Sequence, residues 1–145
     1  MEVVEDTLDV ALDAFLARPL FCFLAQASPD GPRVSPLWYR WADGSIWIIA
    51  TRSRSYVDRI ADNSRSALAI VDFDPESGRV QHVGMRGRTV IEPFDGDLAA
   101  TLLGRYLGED RSAWPDRFRD LSPGDHAMLR FTPSTVVARD QSYRP

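Results

Sequence analysis

The sequence predicts a mainly β domain: a six- to seven-stranded antiparallel barrel with helices at its periphery, formed by residues 1–145 as one unit. Three observations lead there. Short segments rich in β-branched and aromatic residues recur along the chain, separated by turn residues. Asp43-Gly44 stands between two such segments and is a strong hairpin signal, because both turn positions need a positive φ. The chain has 145 residues, 44% of them hydrophobic and 26% charged, which suits one ordinary globular core.

The first expected element is a helix from Thr7 to Ala17, with Leu8, Ala11, Leu12, Phe15 and Leu16 on one face, Thr7 as its cap and Pro19 as its stop. Leu20 to Ala27 reads as a strand. Ser28-Pro29-Asp30-Gly31 reads as a turn. A strand from Arg33 to Trp41 leads through Asp43-Gly44 into a strand from Ser45 to Thr51. The apolar run Ile46-Trp47-Ile48-Ile49-Ala50 suggests burial on both faces. Ser55 to Asn63 is a short helix, with Tyr56, Val57 and Ile60 inward. Arg65 to Asp72 is a strand, and Asp74 to Gly78 a turn with solvated acids. Arg79 to Pro93 is the longest strand, with Gly84 and Gly87 marking bends or bulges. Asp97 to Leu107 is an amphipathic helix ended by Gly108, and a short helix follows from Ser112 to Phe118. His126 to Thr132 and Ser134 to Arg139 are the last strands, separated by Pro133.

Composition excludes several chemistries. The net charge is −4, so a nonspecific grip on nucleic acid is not expected. No apolar run approaches a membrane span, and the acidic start MEVVEDTLDV lacks a signal core, so the chain is expected to be cytoplasmic. All 17 basic residues are arginine, which removes a Schiff-base or phosphate-loop lysine. The single Cys22, between Phe21 and Phe23, reads as a buried inert thiol. His82 and His126 are far apart and make no metal-ligand spacing. No side chain stands out as catalytic.

One stretch does carry chemistry. Thr51-Arg52-Ser53-Arg54-Ser55 follows a buried strand and opens a helix. Guanidinium forks, hydroxyls and the free N–H groups of a helix start together suit an anion such as a phosphate. A plain solvated connection is the alternative.

The order of these elements resembles the pyridoxamine 5′-phosphate oxidase-like, flavin-binding split β-barrel proteins. More narrowly, it looks like the small branch whose members bind FMN or the deazaflavin coenzyme F-420. The residues that carry it are Pro32-Arg33-Val34-Ser35-Pro36-Leu37-Trp38-Tyr39, Asp43-Gly44, Thr51, and the helix start Arg54-Ser55-Tyr56-Val57-Asp58-Arg59-Ile60. Asn63-Ser64-Arg65-Ser66-Ala67-Leu68, Met85-Arg86-Gly87-Arg88 and Arg105-Tyr106-Leu107-Gly108 continue it. The likeness runs from about Phe15 to Val137.

The resemblance implies a single flavin-binding split barrel. The backbone around Ser35, Pro36 and Leu37 would face the ring system, with Arg33 and Trp38 beside it. Thr51, Arg52, Arg54, Ser55 and Tyr56 would take the ribityl and phosphate positions, and His82 would stand near the ring. Tyr56 occupies a position that is commonly Lys in this family, with Arg52 or Arg54 able to replace the charge. The implied activity is a flavin-type oxidoreductase that transfers a hydride to or from a small molecule. The alternative is a non-enzymatic flavin- or tetrapyrrole-binding protein.

The resemblance also implies a homodimer with the cofactor at the interface. Trp38, Tyr39, Trp41 and Trp47 crowd the central strands and suggest an apolar surface too large for one small barrel to bury. Strand alternation lets only one of Trp38 and Tyr39 border a ring pocket.

Overall fold

A computed structural model describes residues 1–144. Eight strands form one curled sheet: β1 (Glu2–Asp6), β2 (Phe21–Gln26), β3 (Arg33–Trp38), β4 (Arg40–Ala42), β5 (Ser45–Thr51), β6 (Arg65–Asp74), β7 (Arg79–Glu92) and β8 (His126–Asp140). Their order is β3-β2-β6-β7-β8-β5-β4, and every neighbouring pair in it is antiparallel. Four α-helices accompany them: α1 (Leu12–Leu16), α2 (Ser55–Asp62), α3 (Gly96–Leu107) and α4 (Asp116–Arg119). The mainly β, split-barrel expectation holds.

The two ends of the sheet, β3 and β4, are consecutive in sequence and joined by Tyr39 alone. The single strand expected from Arg33 to Trp41 is therefore two strands on opposite edges. The chain turns a corner at Tyr39, and that corner closes the curl. Tyr39 leaves the ladder there with its side chain fully buried. Its backbone groups need other partners, and α3 supplies them. The Tyr39 N–H donates to the Tyr106 hydroxyl at 3.1 Å, and the Tyr39 carbonyl accepts from Arg105 Nη1 at 3.1 Å. The Tyr106 hydroxyl in turn donates to the Leu20 carbonyl at 2.7 Å. Arg105 also reaches the Ala17 carbonyl. The Arg105-Tyr106 pair thus seals the barrel corner.

The main core fills the curl. Cys22, Leu24, Ile46, Ile48, Leu68, Ile70, Val83, Leu129, Phe131 and Val136 point inward from the strands. Phe15 and Leu16 of α1 and Val57 and Ile60 of α2 add to it. A second cluster lies outside, where Leu102, Leu103 and Trp114 cover Trp38 and Ile49. Burial on both faces of β5 is explained this way: Ile46, Ile48 and Ala50 face the core, and Ile49 lies under α3.

Several local expectations are corrected. The amino terminus forms β1, which pairs in parallel with residues 135–138 of β8, beyond the segment that β5 covers. The helix expected from Thr7 covers only Leu12–Leu16, because Thr7 belongs to this pairing. The Thr7 N–H donates to the Ala138 carbonyl, and its hydroxyl accepts from the Asp140 N–H. Pro133 does not divide the last strand. β8 runs through it with a bulge that leaves Ser134 without a partner on β7. Opposite the bulge, a Cβ on Gly87 would lie 2.1 Å from the Thr132 carbonyl oxygen, so the strands approach this closely only with glycine there. Asp72 is held in a partly buried network with Arg18 at 2.8 Å and Arg79 at 3.2 Å, and Arg18 also donates to Gln81. The hairpin turn is as expected: Asp43 has φ 53° and Gly44 φ 72°.

Candidate functional site

The site is a cleft of about 480 Å³ between the corner of the barrel and the outer helices. Phe21, Pro36, Leu37, Trp38 and Ile49 come from the strands, and Leu102, Leu103, Phe118 and Leu121 from the outer layer. Thr51, Arg54, Arg117 and His126 add polar atoms. An apolar cleft of this size with a few convergent polar groups suits a small-molecule cofactor or substrate.

Its aromatic wall is built by packing. Trp38 stacks on Tyr106 with ring centroids 4.6 Å apart and planes 1° from parallel, and Phe118 stacks on Trp38 at 5.6 Å. Tyr106 therefore holds both the corner and the indole. The polar groups follow from where β5 ends. Thr51 pairs with His126 across the β5–β8 ladder, and the Arg52 N–H donates to the Asp125 carbonyl at 2.8 Å. The chain then turns, with the Arg54 N–H donating to the Thr51 carbonyl, and Arg54 becomes the residue before α2. Its guanidinium makes no ion pair among the described residues.

His126 has a defined tautomer. Nδ1 lies 2.9 Å from the Ser122 carbonyl, which can only accept, so Nδ1 carries a hydrogen. Nε2 is then the nitrogen left for the cleft, an acceptor while the ring is neutral.

The eleven residues expected from the sequence divide into two groups. Pro36, Leu37, Trp38, Thr51 and Arg54 line the cleft. Arg52 and Ser55 are exposed next to Arg54 in the chain, Arg33 is exposed at the far end of β3 opposite Gln26, and Ser35 is half-buried opposite Leu24 on the inner face of the sheet. Ser55 accepts from Arg59 at 3.1 Å. Tyr56 packs on the main core, its carbonyl accepting from the Gln26 amide at 3.1 Å; burial raises its hydroxyl pKa. His82 lies three strands from Trp38, on β7 opposite Val71 of β6, and is hydrogen-bonded to Gln141 at 3.1 Å. Of the paired expectation for Trp38 and Tyr39, Trp38 lines the cleft and Tyr39 is in the core.

Phe21, Arg117, Phe118 and His126 were not expected at the site. Phe21 carries an alternation signal, being out of phase with the buried Cys22 and Leu24. The segment that brings Arg117 and Phe118 has no sequence period, since α4 is only four residues long.

The aromatic crowding of Trp38, Tyr39, Trp41 and Trp47 does not make an exposed patch. Trp38 is covered by Tyr106 and Phe118, Trp41 donates to Asp13 at 2.8 Å, and Trp47 donates to the Ala42 carbonyl at 3.1 Å. The exposed apolar side chains include Phe21, Phe23, Val34, Val71 and Phe73 on the outer faces of β2, β3 and β6, besides Val3 and Val4 of β1 and Val90 of β7. Phe21 belongs to both this face and the cleft.

No group of three or more potential metal-ligating side chains occurs among the described residues. No helix among them is long and apolar enough to cross a membrane.

Comparison with known proteins gives three kinds of result. The profile of the pyridoxamine 5′-phosphate oxidase family matches residues 8–140. No curated protein matches the sequence. Solved structures are similar over most of the chain. One described as an F-420 reductase is 25% identical, with a TM-score of 0.69 over 89% of this chain and 98% of its own. An FAD-binding protein from Mesorhizobium loti is 17% identical, with a TM-score of 0.62 and 87% of each chain covered. A heme storage protein from Vibrio cholerae is 14% identical, with a TM-score of 0.66 over 88% of this chain and 92% of its own. The last two likenesses establish the fold alone.

Proposed function

This chain belongs to the pyridoxamine 5′-phosphate oxidase family, and on that premise we propose that it binds a flavin-type cofactor in the cleft and works as an oxidoreductase on a small molecule. FMN is the first choice of cofactor and the deazaflavin coenzyme F-420 the alternative. The observation that carries the reading is the cleft's mixed lining. Aromatic and aliphatic walls are joined by Thr51 and, at the start of α2, by Arg54, which has no ion pair among the described residues.

These residues fit such a cofactor. Pro36, Leu37, Trp38 and Ile49 offer an apolar surface for a flat ring system. Arg54, with Arg52, Ser55 and the first N–H groups of α2, offers charge and donors for a phosphate. When bound, the cofactor would supply the hydride chemistry. The chain's part is to bind, orient and shield. Trp38, packed on Tyr106 and Phe118, gives a wall ordered before binding. Leu102, Leu103 and Leu121 exclude water from one side. His126 Nε2 offers a hydrogen-bond acceptor at the cleft wall.

A homodimer suits the same geometry. The exposed apolar face of β2, β3 and β6 runs into the cleft at Phe21, so a second copy packed on that face would border the cofactor.

Two measurements test the reading. Fluorescence titration with FMN, riboflavin, coenzyme F-420 and heme should show tight binding of a flavin-type ligand. Failure of all three flavin-type ligands at micromolar concentration overturns it, and tight binding of heme alone favours the tetrapyrrole alternative. Sedimentation at micromolar protein should give a dimer.

A further inference from the structure

We propose that this protein has a second anion site, separate from the cleft, which takes a small di- or polyphosphate on the outer face of β6 and β7. The site is a concavity of about 570 Å³ lined by Arg65, Arg86, Arg88 and Ser134, with alanines 25, 27 and 67 leaving room between them.

The sheet register places like charges together. Arg65 stands directly opposite Arg88, and Arg86 stands opposite Ala67, two residues along on the same face. Like charges directly opposite on a sheet are destabilising. The usual remedy is a nearby carboxylate, and this chain has 21 acidic residues to offer. None of the three guanidiniums pairs with one among the described residues, as six of the other fourteen arginines do, and these three stand together on one face. Arg88 is oriented by donating to the Ser64 hydroxyl at 2.9 Å. Arg65 and Arg86 have no side-chain hydrogen bond among the described residues.

The bulge in β8 contributes the remaining donor. Skipping Ser134 in the ladder leaves that residue exposed at the edge of the concavity, and Gly87 opposite permits the close approach of the strands. Three positive charges around one small space call for a ligand of at least two negative charges. Guanidinium forks match the oxygens of phosphate, and a diphosphate can engage several at once. A monocarboxylate supplies too little charge.

Pyrophosphate is the probe, titrated calorimetrically at low salt into the whole protein, with and without saturating FMN. Arg86→Ala and Arg65→Gln should each weaken it by roughly tenfold or more, the loss of one charge-assisted contact. Both side chains are exposed, so folding should be retained. Arg54→Ala should leave this phase in place. No binding, or affinity unchanged in both variants, overturns the proposal. So does competition between FMN and pyrophosphate that disappears in Arg54→Ala, which would place the probe in the cleft. A variant that becomes monomeric with no change in the pyrophosphate response would mean that these arginines meet a partner's carboxylates, and would also overturn it. Pyrophosphate binding and its loss in Arg86→Ala and Arg65→Gln are read without FMN, so they stand or fall separately from flavin binding in the cleft.

Discussion

Tyr106→Phe isolates the bond that closes the barrel corner. The substitution keeps the ring, so the 4.6 Å stack on Trp38 and the shape of the cleft remain. It removes one hydroxyl that accepts from the Tyr39 N–H and donates to the Leu20 carbonyl. Tyr39 is fully buried, so water cannot replace the lost acceptor. Arg105 still serves the Tyr39 carbonyl, which confines the damage to the N–H and, in part, to Leu20. An orphaned buried donor costs about 1–3 kcal/mol. For a chain of this size, a loss of about 2 kcal/mol lowers the melting midpoint by roughly 4–8 °C. The assay is thermal and urea unfolding followed by circular dichroism, beside flavin titration. The urea midpoint should fall with its slope unchanged, and cofactor affinity should stay near wild type. A melting midpoint within about 1 °C of wild type, well below the shift expected for such a loss, would refute the reasoning. The corner would then be held by packing alone.

Other consequences follow from the same geometry. Arg54→Ala should weaken FMN by roughly tenfold to a hundredfold and leave riboflavin almost untouched, since only FMN carries the phosphate; equal losses would show that Arg54 is not a phosphate ligand. Trp38→Ala should lower cofactor occupancy, and Tyr39→Ala should mainly lower stability; identical profiles for both would contradict the placement of Trp38 in the cleft and Tyr39 in the core. Gly87→Ala should destabilise by at least about 2 kcal/mol, because the new methyl meets backbone rather than a movable side chain; an unchanged urea midpoint would mean that β8 can retreat. At alkaline pH the fold should weaken. Burial raises the Cys22 thiol from 9.0 to about 12 and pushes up the hydroxyls of Tyr39 and Tyr106, so these groups hold their protons longer when folded. Their contribution is complete below the unfolded values and is lost as pH climbs from about 9 towards 12, which a circular dichroism series over that range would check.

The sequence alone determined the local chemistry. Alternation and turn residues specify strands wherever one face is buried, so β2, β5, β6 and β7 were legible close to their ends. Asp43-Gly44 declared its hairpin because a positive φ is a property of the residues themselves. The Arg/Ser loop before α2 was legible for a similar reason: its charges and hydroxyls are contiguous in the chain.

What crosses the chain was decided only by the tertiary structure. β1 has no buried face to write a period, and it exists because β8 runs beyond β5 and leaves an edge to pair. The corner at Tyr39 is invisible locally, since Trp38-Tyr39-Arg40-Trp41 has the composition of an uninterrupted strand. It forms because Arg105 and Tyr106, more than sixty residues away, satisfy the groups that the ladder abandons. The cleft joins Phe21, Trp38, Arg54, Phe118 and His126 from five separate segments. The arginine concavity is of the same kind: Arg65 and Arg88 become neighbours only through the β6–β7 register. Short-range physics writes its rules into adjacent residues, whereas packing brings distant ones together, and a site made by packing leaves no contiguous mark in the chain.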